Sequence, residues 1–343
     1  MCFFLTAWDL RNFASENAWY GVRRAAAVQS LGMEMDWNSE GVAKVIESAL
    51  AEDIGVGDAT AAATIPVGAT GQAHIVAKQE LVCAGLPLAE MMFGRLDPRM
   101  RMESRAADGQ LVKNGEDVLR LSGKAAAILT GERTALNFLG HLSGIATLTR
   151  RFVEQLHGTQ AKIRDTRKTT PGLRQLEKYA VRMGGGTNHR FGLYDAILLK
   201  ENHIALAGGV QAALDQAHAY ASSQLKPRAM TAYEAVGWVP SAAEVGSLPI
   251  QIEVRNEKEL REALAAGAES VLLDNMTPEE ARRCVEIVRS VRASCIVEIS
   301  GGITLENARA YALSGADYLS SGALTHSAKA VDLSLLVESI KEK

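Results

Sequence analysis

Cysteine is scarce in this chain and shows no pairing. Cys2, Cys83, Cys284 and Cys295 have no recurrent short spacing, so neither a disulfide framework nor a zinc site is supported, and a reducing compartment fits best. No uninterrupted apolar run approaches the roughly 20 residues a membrane helix needs, which argues against a membrane role. An excess of either charge is missing too. With 37 Lys and Arg against 40 Asp and Glu, the formal net charge is -3, too balanced for a general nucleic-acid binder. Residues 1–34 lack the ordered basic, apolar and cleavage regions of a secretory signal. A soluble globular protein of the cytoplasm is the expectation.

What is present is apolar content and rhythm. At 343 residues and 47% hydrophobic, the chain can bury large cores and is long enough for two domains. Val42, Val45, Ile46, Ala49 and Leu50 share one helical face, and the turn-rich EDIGVGDAT follows. Alternating runs such as GQAHIVAKQ and DVLRLSG predict strands of a small α/β domain between about Thr64 and Leu121. A long helical pattern from Ala125 to Leu156, interrupted by Gly131, Gly140 and Gly144, predicts a bridge between domains. Apolar runs at 161–164, 196–199, 250–254, 270–273, 295–299 and 316–320 then alternate with helical patterns, as parallel β/α architecture does.

Charge is concentrated in one place. Between Lys162 and Lys200 stand nine Lys or Arg against the three acids Asp165, Glu177 and Asp195. Among them lie features that need a fixed backbone: a Thr-Pro-Gly turn, a triple glycine and the run AILL ending in Lys200. Cations on shaped backbone point to a multiply charged anionic ligand. Arg174, Lys178 and Arg182 are spaced four apart and read instead as a solvated helix face.

Thr166 to Lys168, Lys200, Glu253, Asp274, Ser300 and Ser321 fall at or near the C-terminal ends of the apolar runs, the rim where β/α barrels build active sites. SGGIT at 300–304 and SSGALTH at 320–326 place small residues where backbone N–H groups can approach a phosphate. Arg167, Lys168, His189, Arg190 and Lys200 are candidate carboxylate clamps. Glu253 and Asp274 are the two acids at strand ends opposite this cationic set and read as ion-pair partners.

The runs DTRKTTPGLR, EKYAVRMGGGTNHRFGLYDAILLKENHI, LLDNMTPEEA, SGGIT and GALTHSA resemble quinolinate phosphoribosyltransferase, the carboxylating nicotinate-nucleotide pyrophosphorylase of NAD biosynthesis, from about Val42 to Leu333. The resemblance implies that Arg133, Thr166, Arg167, His189, Arg190 and Lys200 bind quinolinate. It implies that Lys168, Glu253 and Asp274 act catalytically on phosphoribosyl diphosphate and ribose, with Mg²⁺ held by Glu253 and Asp274 through the substrate. Ser300, Gly301, Gly302, Ser321, Gly322 and His326 would surround the 5′-phosphate. It further implies a homodimer in which Arg133 enters the partner's site.

The expected fold class is therefore α/β, with a small N-terminal α/β sandwich-like domain over 35–140 and a parallel β/α barrel-like domain over 141–331. A C-terminal helix over 332–343 is expected to pack on the first domain. Residues 1–34 read as an extension and 222–248 as an insertion. Gln251 and Arg255 stand where the family usually has acids, and Met183 and Ser321 also depart from its commoner residues. A homologue acting on a different acid and a non-catalytic phosphometabolite sensor are the alternatives.

Overall fold

A computed structural model of the chain describes residues 35–223 and 248–341. The extension over 1–34 and all but the ends of the 222–248 insertion lie outside the described residues. Helix α1 (Glu40–Ile54) starts where the Ser39 hydroxyl accepts the Val42 N–H, and it buries Val42, Ile46 and Leu50, the face expected from their spacing. Short α2 (Ala59–Thr64) follows, capped by Asp58. Strands β1 (Thr70–Ala77), β2 (Leu81–Val82), β3 (Arg101–Ser104), β4 (Leu111–Val112) and β5 (Asp117–Lys124), with α3 (Leu86–Leu96), form the N-terminal layer.

Helix α4 (Ala125–Gln155) is continuous through its glycines. Its first half contributes Ile128, Ala135 and Leu139 to one apolar cluster, and its second half contributes Leu142, Ile145 and Phe152 to the other. Glycine costs a helix interior about 1 kcal/mol relative to alanine. Close approach explains its use here: a Cβ on Gly140 would lie 2.9 Å from the Val331 carbonyl, which comes in from the far end of the chain.

Strands β6 (Lys162–Arg164), β7 (Ile197–Leu199), β8 (Ile250–Val254), β9 (Ser270–Asp274), β10 (Ile296–Ser300) and β11 (Tyr318–Ser320) form one sheet of order β6-β11-β10-β9-β8-β7. Every neighbouring pair is parallel. A further parallel bridge, Arg164 to Thr187, extends the order beyond β6. Chain order thus runs round the sheet as in a β/α barrel. Helices α5 (Arg174–Met183), α6 (Glu201–Ala207) and α7 (Val210–Ser223), with Glu257–Ala265, Pro278–Val291 and Ala308–Ala312, connect the strands.

Buried parallel strands are expected to be apolar on both faces. Here they are not. Ile252, Val254, Val271, Leu273, Val297, Ile299 and Leu319 are fully buried apolar residues, whereas the alternate positions hold Gln251, Glu253, Asp274, Glu298, Ser300 and Ser320. Glu298 on β10 meets Gln251 on β8 and Arg164 on β6, each two strands away. Those links cross the inside of the curled sheet, so the interior of the barrel holds a polar network beside Leu198 and Leu272.

The C-terminal segment corrects one expectation. It is a strand, β12 (Leu333–Lys341), antiparallel to β1 from Leu333 opposite Ala77 to Lys341 opposite Thr70, and it completes the four-stranded order β12-β1-β5-β3. Leu, Glu and Lys are good helix formers, but helix propensity is worth well under about 1 kcal/mol per residue, and pairing with the β1 edge outweighs it by satisfying a ladder of backbone groups. The register also turns Leu333 and Leu335 into the N-terminal cluster. Leu335→Ala is expected to cost about 2 to 5 kcal/mol, measured by urea denaturation, because a buried leucine is lost; a change below about 0.5 kcal/mol, the surface range, would contradict this packing.

Candidate active site

The six parallel strands deliver their C-terminal ends to one rim. Thr166 to Lys168 follow β6, Lys200 follows β7, Glu253 lies in β8, Asp274 ends β9, Ser300 ends β10, and Ser321 and Gly322 follow β11. Lys200 Nζ pairs with Glu253 Oε2. The stem of Lys168 crosses Gly322 so closely that a Cβ there would lie 2.9 Å from Lys168 Cδ and 3.0 Å from the His326 ring. Only glycine allows that approach. The Lys168 carbonyl accepts the Thr325 hydroxyl at 2.7 Å, which ties the loop after β6 to the loop after β11.

Gly301 and Gly302 have φ of 97° and 63°, the left-handed region that glycine favours. Opposite Gly301 stands Asn275, the non-glycine residue with positive φ among the described residues. Its N–H donates to the Ser300 carbonyl at 2.9 Å and its Nδ2 to Asp274 at 2.8 Å, joining the ends of β9 and β10. The motif LLDNM contained that residue without revealing its backbone role. Ser321, after β11, is buried, and its hydroxyl donates to the Ile303 carbonyl at 2.8 Å. That hydroxyl is committed to the backbone.

The three cations of α5 overturn the reading of a solvated face. Lys178 is 1% exposed and its Nζ lies 2.5 Å from Asp165, itself fully buried. The same ammonium donates to the His189 carbonyl at 3.0 Å, and Asp165 also accepts the His189 N–H and the Asn188 amide. Arg182 donates to Asn188, while Arg174 donates to Thr169 and to the Arg167 and Phe191 carbonyls. Spacing of four placed these groups on one face, but could not say that the loops carrying Thr166–Lys168 and His189–Arg190 lie over it. Burial pushes the Asp165 carboxyl up and the Lys178 ammonium down, against their mutual attraction.

The rim itself carries uncompensated positive charge. Among the described residues, Arg167, Lys168 and Arg190 form no ion pair with a carboxylate. Burial, then the neighbouring Arg167, holds the Arg190 guanidinium below its usual range. Arg133 is exposed on α4, and no hydrogen bond or ion pair among the described residues joins it to this set. Glu298, absent from the candidates read in the sequence, is fully buried beneath the rim.

The profile for the quinolinate phosphoribosyl transferase N-terminal domain matches residues 58–143, and that for the C-terminal domain matches 145–236 and 229–336. The chain belongs to the quinolinate phosphoribosyltransferase family. It is 39% identical over 307 residues to the nicotinate-nucleotide pyrophosphorylase (carboxylating) of Mycobacterium leprae, covering 88% of this chain and 99% of that one. It is 38% identical over 307 residues to quinolinate phosphoribosyltransferase (decarboxylating) 1b of Nicotiana tabacum, covering 86% and 81%. The solved structure of the nicotinate-nucleotide pyrophosphorylase from Francisella tularensis superposes with a TM-score of 0.76 at 36% identity, covering 87% of this chain and 96% of that one. No described helix is long and apolar enough to cross a membrane.

Within this family member, removing one partner of the Asp165–Lys178 pair leaves a buried charge without compensation. Lys178→Met is expected to lower unfolding free energy by about 3 to 5 kcal/mol. Denaturant melts check it, and a loss below about 0.5 kcal/mol would restore the solvated-face reading.

Proposed function

We propose that this chain transfers the phosphoribosyl group of phosphoribosyl diphosphate to quinolinate, with loss of carbon dioxide, giving nicotinate mononucleotide and pyrophosphate for NAD biosynthesis. The observation that carries this is the meeting, on one barrel rim, of the unpaired cations Arg167, Lys168 and Arg190 with the glycine turns at Gly301 and Gly322. A dicarboxylate and a phosphate are the anions that such a rim fits.

In this reading Arg167, Arg190, Lys200 and the neutral side chains of Thr166 and His189 hold quinolinate. Its ring nitrogen forms a bond to ribose C1′ as the bond from C1′ to pyrophosphate breaks. Glu253 and Asp274 face the positive charge that develops on the ribose, a stabilisation that grows towards the transition state. Lys168 offsets charge on the departing pyrophosphate, and Ser300, Gly301, Gly302, Gly322 and His326 surround the 5′-phosphate, with Ser321 shaping the turn. The pyridinium nitrogen then accepts the electron pair freed when the 2-carboxylate leaves as carbon dioxide, and a proton replaces it.

Among the described residues no group of three or more His, Cys, Asp or Glu forms a metal cage. Mg²⁺ is commonly bound through one or two carboxylates plus substrate phosphates; Glu253 and Asp274 would contact it, and it would offset pyrophosphate charge. The exposed position of Arg133 on α4 supports a homodimer in which it reaches the partner's rim. The cytoplasm is the proposed location.

Incubating the protein with quinolinate, phosphoribosyl diphosphate and Mg²⁺ tests the reading. Nicotinate mononucleotide and carbon dioxide are expected, and their absence with retained phosphoribosyl diphosphate binding would favour a sensor. Arg190→Ala and Lys200→Ala should each raise the quinolinate KM about tenfold or more while leaving the phosphoribosyl diphosphate KM within about twofold, since losing a charged contact at a desolvated interface costs 2 kcal/mol or more; equal rises would contradict the assignment. Arg133→Ala and Lys168→Ala, each inactive alone, should regain activity when mixed, because a mixed dimer has one site free of both changes. Verified mixed dimers without activity would rule out a shared site.

A further inference from the structure

Glu298 sits at the centre of β10 with no exposed side-chain surface, one layer below the rim. A lone carboxylate could not remain charged there. Three donors reach it, Arg164 Nη1 at 3.1 Å, Gln251 Nε2 at 3.0 Å and the Ser320 hydroxyl, and His189 Nε2 lies 3.4 Å away. Burial opposes its ionisation, while the Arg164 charge and the Gln251 and Ser320 donors favour it. Of the groups around it, His189 is the one that continues to the rim.

The tautomer of His189 follows from its contacts. Its Nδ1 lies 2.6 Å from the backbone N of Arg190, and a backbone N–H can only donate, so Nδ1 is bare. The proton of the neutral ring is then on Nε2, facing Glu298. Arg164, Lys178, Asp165 and Glu298 are the charged groups around this ring, and burial outweighs their mixed signs and keeps the imidazole below its ordinary value. Arg190 in turn sends its guanidinium to the Ala196 carbonyl at 3.0 Å. A chain of single-direction contacts runs from the barrel interior to the rim: Glu298 orients His189, and His189 accepts from and so orients the backbone of Arg190.

We propose that Glu298 is a positioning residue for recognition of the dicarboxylate substrate, acting through His189 on Arg190. This rests on the function proposed above. Its amide analogue fits the same space but puts a donating nitrogen on one side, so either His189 and Ser320 or Arg164 and Gln251 lose their accepting oxygen. Partners that orient a functional histidine typically matter by about 10- to 100-fold in metal sites. A comparable loss should appear here in quinolinate binding and not in the phosphate half of the site.

The test uses the full chain with histidine labelled at nitrogen. In wild type, His189 should show a bare Nδ1 and a protonated Nε2 between about pH 6 and 8. In Glu298→Gln, the quinolinate KM should rise about tenfold or more with the phosphoribosyl diphosphate KM within about twofold, and the His189 nitrogen signals should move. Glu298→Asp, which keeps the charge but withdraws it by one methylene, should show the same split. A protonated Nδ1 in wild type, or parallel changes in both KM values, would overturn the proposal; so would failure of both variants to fold, which would leave Glu298 a structural anchor only. If wild type makes no product from quinolinate, the function proposed above falls, while the nitrogen signals still decide whether Glu298 sets the His189 tautomer.

Discussion

The site depends on one buried ion pair. Asp165, directly after β6, and Lys178, in the middle of α5, have almost no exposed surface, and between them they bind the backbone of His189 at both its N–H and its carbonyl. A charge in that position is costly unless each remaining donor and acceptor is satisfied. Asn188 and the backbone of His189 provide this. The result is that two rim loops, far apart in sequence, share one anchor. Arg167 and Lys168 leave it on one side, His189 and Arg190 on the other. The positive charge of the rim can remain unpaired because the cations behind it are so thoroughly engaged.

A second constraint is the polar network inside the barrel. Outward positions of the strands supply the apolar core against the surrounding helices, while inward positions carry Gln251, Glu253, Asp274, Glu298 and Ser320. Gln251, one of the departures from the resemblance, donates to Glu298. A carboxylate there would face Glu298 at hydrogen-bonding distance and would repel it or share its proton. Arg255, the other departure, is exposed and pairs with Glu201 and Glu259, away from the interior. One substitution bears on the site's charge; the other lies on its outer edge.

The two layers of the protein are joined by α4 and by the return of the chain. The helix lends one half to each core, and residues 329–331 pass across its glycines before β12 adds itself to β1. The last strand of the sequence thus completes the first sheet. Asp108 reinforces the join: it accepts the N–H groups of Gly85 and Leu86 at the start of α3 and the hydroxyl of Tyr179 from α5. The rim and the N-terminal layer are therefore held by hydrogen bonds as well as by apolar contact.

The sequence by itself determined the local periods and the chemical types. Alternating apolar runs marked the parallel strands, the helical stripe marked α1 and α4, and the family motifs marked most of the rim, because these signals are written in residues within one turn or one strand of each other. It could not state which distant surface covers a given face. Lys178 looked solvated because its spacing was read without the loops that bury it. Glu298 looked like one more strand residue, because its partners come from β6, β8, β11 and the loop before β7. The segment 333–341 is a strand only because the β1 edge is open to it. Burial, tautomer and pairing are properties of what lies across a contact, and only the tertiary structure brings the two sides of a contact together.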